Sequence, residues 1–294
     1  MFKENFGENL MQIFPPDSNR CTVTDFSEFA GKNVAFISPH PDDAEICCGA
    51  TIYQLNKVGC SVYDIVGVSG TNSVKQNDLL TLKRCIYNLG LDLQGYDDLS
   101  LKRMIRESEC INAFRCLGVP ESNVHFLRLS IYNNKSPDYD SDVNKIQDTL
   151  ESLHPDILFV CADHDPHGTH GQVLELTKEA VSRISFKPRI FLYFGAWNEF
   201  PSESFTTMYP FSEFEEGIKK QSICCHTSQL NPMFPGSDSR EFYQRAEDLS
   251  YKLAKDANYK RGSNHFAIEA FCEVPEIPSV NLNIIDQLLT AVSV

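Results

Sequence analysis

The sequence predicts an α/β fold in which a mainly parallel sheet carries helices on both faces, and three observations predict it. Short apolar runs alternate with segments whose apolar residues recur at helical spacing; glycines close several of the helical segments; and polar clusters stand just past the ends of two of the apolar runs. Taken in order, "NVAFISP" (33–39) reads as a strand that stops at proline. "AEICCGATIYQLNKVG" follows as a helix ending at Gly59, and "CSVYDIVGVSG" (60–70) as a second strand. Then come an amphipathic helix over 100–118 closed by Gly118, the strand "VHFLRL", a helix near 140–153, the strand "DILFVCA" (156–162), a helix over about 171–184 and the strand "RIFLYFG" (189–195). The last third supplies helices in "FEEGIKKQSICCH" and "SREFYQRAEDLSYKLAKDANYKRG" and a closing strand in "NHFAIEAFCEV". Stretches 71–78 and 228–240, rich in Ser, Asn, Pro and Gly, are expected as loops that wall a cleft. No repeat or long linker divides the chain, so one Rossmann-like domain over 1–294, with its core at about 33–275, is expected.

Composition narrows the function. With 294 residues, 42% of them hydrophobic and 22% charged, the chain can bury a sizeable core. A formal charge of −14 and the lack of a basic stripe argue against nucleic acid as a partner. No run approaches the ~20 apolar residues that span a bilayer, and residues 1–20 lack the apolar centre of a secretion signal, so a cytoplasmic protein without integral membrane contact is expected. The eleven cysteines include the adjacent pairs Cys47/Cys48 and Cys224/Cys225 but no CxxC, which reads as free thiols in a reducing compartment and gives no support to a cysteine-ligated zinc site.

Chemistry concentrates at two strand ends. "SPHPDDAE" brings His40, Asp42 and Asp43 after the first strand, and "DHDPHGTHG" (163–171) brings three histidines within seven residues after a later one. In open α/β sheets ligands bind beyond carboxyl strand ends, so the two clusters can meet. A catalytic zinc uses three nitrogen or oxygen ligands and keeps a position for water, and His40, Asp43 and one histidine of the second cluster would make that set. An adjacent carboxylate outside the set, Asp42, would then accept a proton from water acidified toward a pKa of ~7. The alternatives are plain: Asp42 with Glu45 three residues on fits a capping box, and His164, His167 or His170 singly fits a surface loop.

"SPHPDDAEICCGATI" together with "HDPHGTHGQV" resembles the PIG-L (LmbE-like) family of zinc-dependent N-acetylglucosaminide deacetylases. "RESECINAFRCLGVPESNVHFLRL", "KKQSICCHTSQL" and "HFAIEAFCEV" are similar to later family segments in the same order, so the resemblance covers most of 33–275. It implies that His40, Asp43 and His170 hold Zn2+, with Fe2+ as the other candidate for these ligands. It also implies that Asp42 is the general base and that His167 steadies the oxyanion and protonates the leaving amine, unless His167 only orients a neighbour. Many relatives carry Asp where this chain has Thr169, so Asp163 or Asp165 would have to supply that charge. Arg106 matches a family arginine and would face substrate, with a surface ion pair to Glu109 as the alternative; Trp197 would stack on a sugar ring or else anchor a loop.

The expected reaction is hydrolysis of the acetamido group of an N-acetylglucosamine-type conjugate, a small molecule, releasing acetate; a homo-oligomer is included among the expected partners. The rivals are a metal-dependent phosphoesterase, which commonly needs two metals and more bridging carboxylates, and a non-catalytic sugar- or nucleotide-binding protein of the same fold. A binding protein would have no use for Asp42 beside the ligand set, and no GxGxxG loop follows the first strand.

Overall fold

A computed structural model describes residues 21–132, 134–198, 205–230 and 238–277. Eight strands form one sheet: β1 (Thr22–Val23), β2 (Asn33–Ser38), β3 (Ser61–Val66), β4 (Val124–Phe126), β5 (Ile157–Cys161), β6 (Arg189–Tyr193), β7 (Thr207–Phe211) and β8 (Ala267–Val274). Its order is β1-β7-β8-β6-β5-β2-β3-β4, with β8 antiparallel to both neighbours and every other pairing parallel. The helices are α1 (Asp43–Lys57), α2 (Gln76–Asn88), α3 (Asp98–Cys116), α4 (Tyr139–Leu153), α5 (Thr169–Arg183), α6 (Glu213–Cys224) and α7 (Phe242–Arg261).

The sheet separates two cores. Alternate residues of β2 divide between them: Val34 and Phe36 join the face covered by α1, α3, α6 and α7, while Ala35 and Ile37 join the face covered by α4 and α5. That two-sided burial is why the strand sequences read as apolar runs. Phe36, Phe159 and Phe191 are register partners on β2, β5 and β6, and their rings stack at 4.6 and 5.1 Å between centroids. From β2 the chain winds outward to β3 and β4 on one side; from β5 it winds to β6 on the other. The order therefore reverses between β2 and β5, and the segments leaving these two strands flank the crevice.

Three sequence expectations are corrected. Stretch 71–78 is not a continuous loop: 71–73 forms a 3-10 turn and α2 starts at Gln76. Leu79 is the one residue of α2 that is fully buried, so too few apolar positions repeat to reveal the helix. Strand β7 was missed because Pro210 interrupts "TMYPF". Its neighbour β1 pairs only with Thr207 and Met208, so at Pro210 that edge is open and the missing N–H costs no ladder bond. The short β1 was also missed. Of stretch 228–240, residues 231–237 lie outside the described residues, as do residues 1–20.

Helix α1 is broken at Cys48, where φ is −132° and ψ 16°. The freed amides of Ala50 and Thr51 donate to Glu269 of β8 at 3.1 and 2.8 Å, so this carboxylate caps the second half of the helix. Lys219 of α6 completes the arrangement with a 2.7 Å ion pair to Glu269, both side chains being 2% exposed. Gly49 permits it: a Cβ there would stand 2.8 Å from Lys219 Cγ. The first half of α1, which carries Asp43 and Glu45, is thereby set at its own angle.

Candidate active site

Two strand ends build the centre of the site. Past β2, Pro39 and Pro41 bracket His40, and the Asp43 carboxylate Oδ2 accepts the His40 backbone N–H at 2.8 Å, which turns both side chains inward. Past β5, the Asp165 carboxylate accepts the backbone N–H groups of His167 (3.1 Å) and His170 (2.8 Å), folding the loop so that His170 enters on the first turn of α5. The Cys161 sulfur lies 3.6 Å from His170 Nδ1, which leaves Nε2 as the nitrogen presented to the crevice.

His40 Nδ1 and His170 Nε2 are 3.1 Å apart, and Asp43 Oδ2 stands 3.4 and 3.3 Å from them. Three donors thus converge from segments 130 residues apart. The donor-to-donor edge of a tetrahedral zinc site is about 3.3 Å for ligands at ~2.0–2.1 Å, so the spacing fits such an ion. Electrostatics agree. Burial alone would push the Asp43 carboxyl up, but the imidazoles of His170 and His40 hold it well below the usual carboxylate range. Burial would lower His170, yet Asp43 and then Cys161 raise it well above its ordinary value. A buried anion that attracts this much positive charge suits a cation. His170 and Asp43 side chains are 0% and 3% exposed and His40 is 20% exposed, so solvent reaches the cluster from the His40 side. Among the described residues this is the one cluster of its kind.

Asp42 does not cap α1, although it occupies the cap position; its side chain makes no bond to the helix end. The capping-box alternative is thereby corrected. Its Oδ1 takes a 3.0 Å ion pair with Arg106 Nη2 instead. Arg106 is 1% exposed, so it is no surface residue, and its guanidinium faces Asp42, with Glu109 farther off at 3.7 Å. Burial would weaken its hold on a proton, but Asp42 and then Glu109 outweigh that and strengthen it. Glu109 is fixed in turn by the Thr227 hydroxyl (2.8 Å) and by the backbone N–H and hydroxyl of Ser228 (both 2.7 Å). Gly70, at φ +61°, lies over the arginine, and a Cβ there would be 3.2 Å from Arg106 Nε.

Glu45, the other half of the expected capping box, reaches His226 Nε2 at 3.0 Å. Burial, then the neighbouring Asp42 and Asp43, push its carboxyl well up, while burial pulls His226 down to about 4. Both directions favour the uncharged form of each partner across this contact. No second negative charge is then set beside Asp42. His226, Ile223, Gln229 and Phe242 line, with Asp42 and Ile46, a small open crevice next to the carboxylate. Reasoning from the residues alone missed Glu45 and His226; the match of "KKQSICCHTSQL" to a family segment was the available signal.

The remaining expected residues are placed as follows. His167 is exposed on the turn before α5. Asp165 bonds its backbone, and Asp163 is occupied elsewhere, accepting the backbone N–H groups of His164, Trp197 and Asn198. Thr169 is buried at the start of α5. Trp197 is half-buried, its ring edge-on to Phe242 at 6.2 Å and packed against the core.

The structure is similar to the N,N'-diacetylchitobiose deacetylase of Pyrococcus horikoshii (TM-score 0.59, 20% identity, 94% of this chain and 93% of that one). It is also similar to GalB, the 4-carboxy-2-hydroxymuconate hydratase of Pseudomonas putida KT2440 (TM-score 0.56, 16% identity, 85% and 99%). At these identities the likeness establishes the fold, and the fold carries more than one chemistry. A putative glucosamine-6-phosphate deaminase-like protein of Bacteroides thetaiotaomicron is 29% identical over 282 residues, 82% of this chain but 42% of that protein, so the chain spans less than half of this relative. The profile of the PIG-L family, described as GlcNAc-PI de-N-acetylase, matches residues 35–181, half of the chain and the part that holds both strand ends of the site. The chain belongs to the PIG-L family.

Proposed function

We propose that the chain is a metal-dependent N-deacetylase that hydrolyses the acetamido group of an N-acetylglucosamine-type conjugate. The observation that carries this reading is the convergence of His40, Asp43 and His170 with Asp42 next to the set and outside it. His40, Asp43 and His170 would hold a divalent cation, Zn2+ or Fe2+. When bound, such an ion polarises the amide carbonyl and acidifies water. Asp42, turned away from the helix end and steadied by Arg106, accepts the proton of the attacking water. His167, on the exposed turn before His170, in its protonated form stabilises the developing oxyanion and gives its own proton to the departing amine, to be replaced by the one that Asp42 took from water. In this reading Arg106 serves Asp42 rather than the sugar, since its Nη2 is engaged there and the side chain is buried. Trp197 keeps a loop wall in place and offers its half-exposed edge to the sugar.

The reading extends to a single catalytic domain, a small-molecule amino-sugar substrate and a cytoplasmic site of action, which suits eleven cysteines that are all free. Homo-oligomers are part of the same proposal. No helix among the described residues is long and apolar enough to cross a membrane. The test is acetate release from a panel of N-acetylglucosamine conjugates, with and without chelator, for the wild type and Asp42→Asn. The variant should bind metal as the wild type does and lose at least ~100-fold in turnover. Wild-type turnover in Asp42→Asn would remove the base from the mechanism, and no acetate from any conjugate would remove the deacetylase reading.

A further inference from the structure

Of the eleven thiols, seven are buried and Cys85 is exposed; Cys116, Cys224 and Cys225 are partly exposed. The sulfurs of Cys116 and Cys225 lie 3.6 Å apart, the one sulfur–sulfur contact found among the described residues, although 109 positions separate the two in sequence. Cys116 is the last residue of α3, and Cys225 is the C-cap of α6, against which α3 packs.

We propose that Cys116 and Cys225 are a reversible thiol–disulfide site, oxidised by a low-molecular-weight disulfide, that ties the end of α3 to the segment leading into His226. A bonded pair has its sulfurs at about 2.05 Å, so they must close by roughly 1.5 Å. Both residues sit where a helix ends, and there the final turn is least restrained by its own hydrogen bonds. Partial exposure admits the oxidant, which the seven buried thiols do not meet. The Cys225 thiol, pushed up by burial and then by Cys116 alongside, also donates to the Gln221 carbonyl at 3.5 Å, so the proposed entry point is Cys116. Its thiolate attacks one sulfur of the small disulfide and displaces one small thiolate. Cys225 then gives up its proton, attacks the Cys116 sulfur of the mixed disulfide and displaces the second. Two protein thiols become one disulfide, and one small disulfide becomes two small thiols.

The position gives the bond a consequence. His226, Thr227 and Ser228 follow Cys225 directly, and they contact Glu45 and Glu109, which flank Asp42 and Arg106. A covalent tie at 116–225 fixes the start of this segment to the helix that carries Arg106 and Glu109.

The test uses the full chain and needs no substrate, so it stands apart from the deacetylase reading. The protein is incubated with glutathione disulfide, denatured, alkylated with iodoacetamide and mapped by mass spectrometry, alongside C116S, C225S and a C85S control. The expected result is a peptide pair joined through Cys116 and Cys225 in the wild type and in C85S, reversed by dithiothreitol. It should come with a thermal midpoint raised by about 5 °C, and both effects should be absent from C116S and C225S. Alkylation of both Cys116 and Cys225, or glutathione retained on Cys116 without pairing, would overturn the proposal.

Discussion

Replacing Arg106 by methionine tests the polar centre most directly. Methionine retains much of the buried volume and removes the guanidinium, leaving Asp42, at 9% side-chain exposure, without its 3.0 Å partner. Glu109 keeps its bonds to Thr227 and Ser228 and loses only the more distant 3.7 Å contact, so the damage centres on Asp42. Breaking a buried ion pair by removing one partner costs about 3–5 kcal/mol, because the other charge stays buried. At about 2.1 cal/mol/K of unfolding entropy per residue, a chain of 294 residues shifts by roughly 1.6 °C for each kcal/mol, so the midpoint should fall by roughly 5–8 °C. The added change Asp42→Asn removes the stranded charge and should recover a kcal/mol or more of that loss. The assay is thermal and urea unfolding of wild type, R106M, D42N and R106M/D42N as a double-mutant cycle. If R106M unfolded with the wild type, or if the two losses simply added, Arg106 and Asp42 would not be coupled and the account of the base would fail.

Two further outcomes follow from the same geometry. Adding Zn2+ to metal-free protein should raise the unfolding midpoint in a concentration-dependent way, and His170→Ala, which removes one of three ligands, should abolish most of that shift; an equal shift in both would move the cation elsewhere. Lys219→Met should destabilise by about 3–5 kcal/mol in urea unfolding, because Glu269 is left charged and buried under the break in α1. The double change K219M/E269Q should be less costly than K219M alone, and equal losses would show that the charge is not the cause.

The site was partly legible because local sequence fixes what short segments can do. A strand stopped by Pro39 and followed by His40, Asp42 and Asp43 has its polar groups at a carboxyl end whatever the rest of the chain does. Partner choice was not legible. Asp42 and Glu45 have cap spacing, yet one turns to Arg106 and the other to His226, 181 residues away. The break in α1 was equally hidden, since it depends on Glu269 and Lys219 arriving from β8 and α6.

What the sequence determined by itself was the alternation of strands and helices and the identity of the groups at two strand ends, because periodicity and chain stops act over a few residues. What only the tertiary structure decided was which of those groups face one another. Parallel pairing of β2 with β5 brings His40 and Asp43 to His170, and packing of α3, α6 and β8 around α1 selects the partner of each buried charge. The physical reason is that a buried ionisable group is satisfied by whatever lies within a few ångströms in space, and distance along the chain carries no record of that.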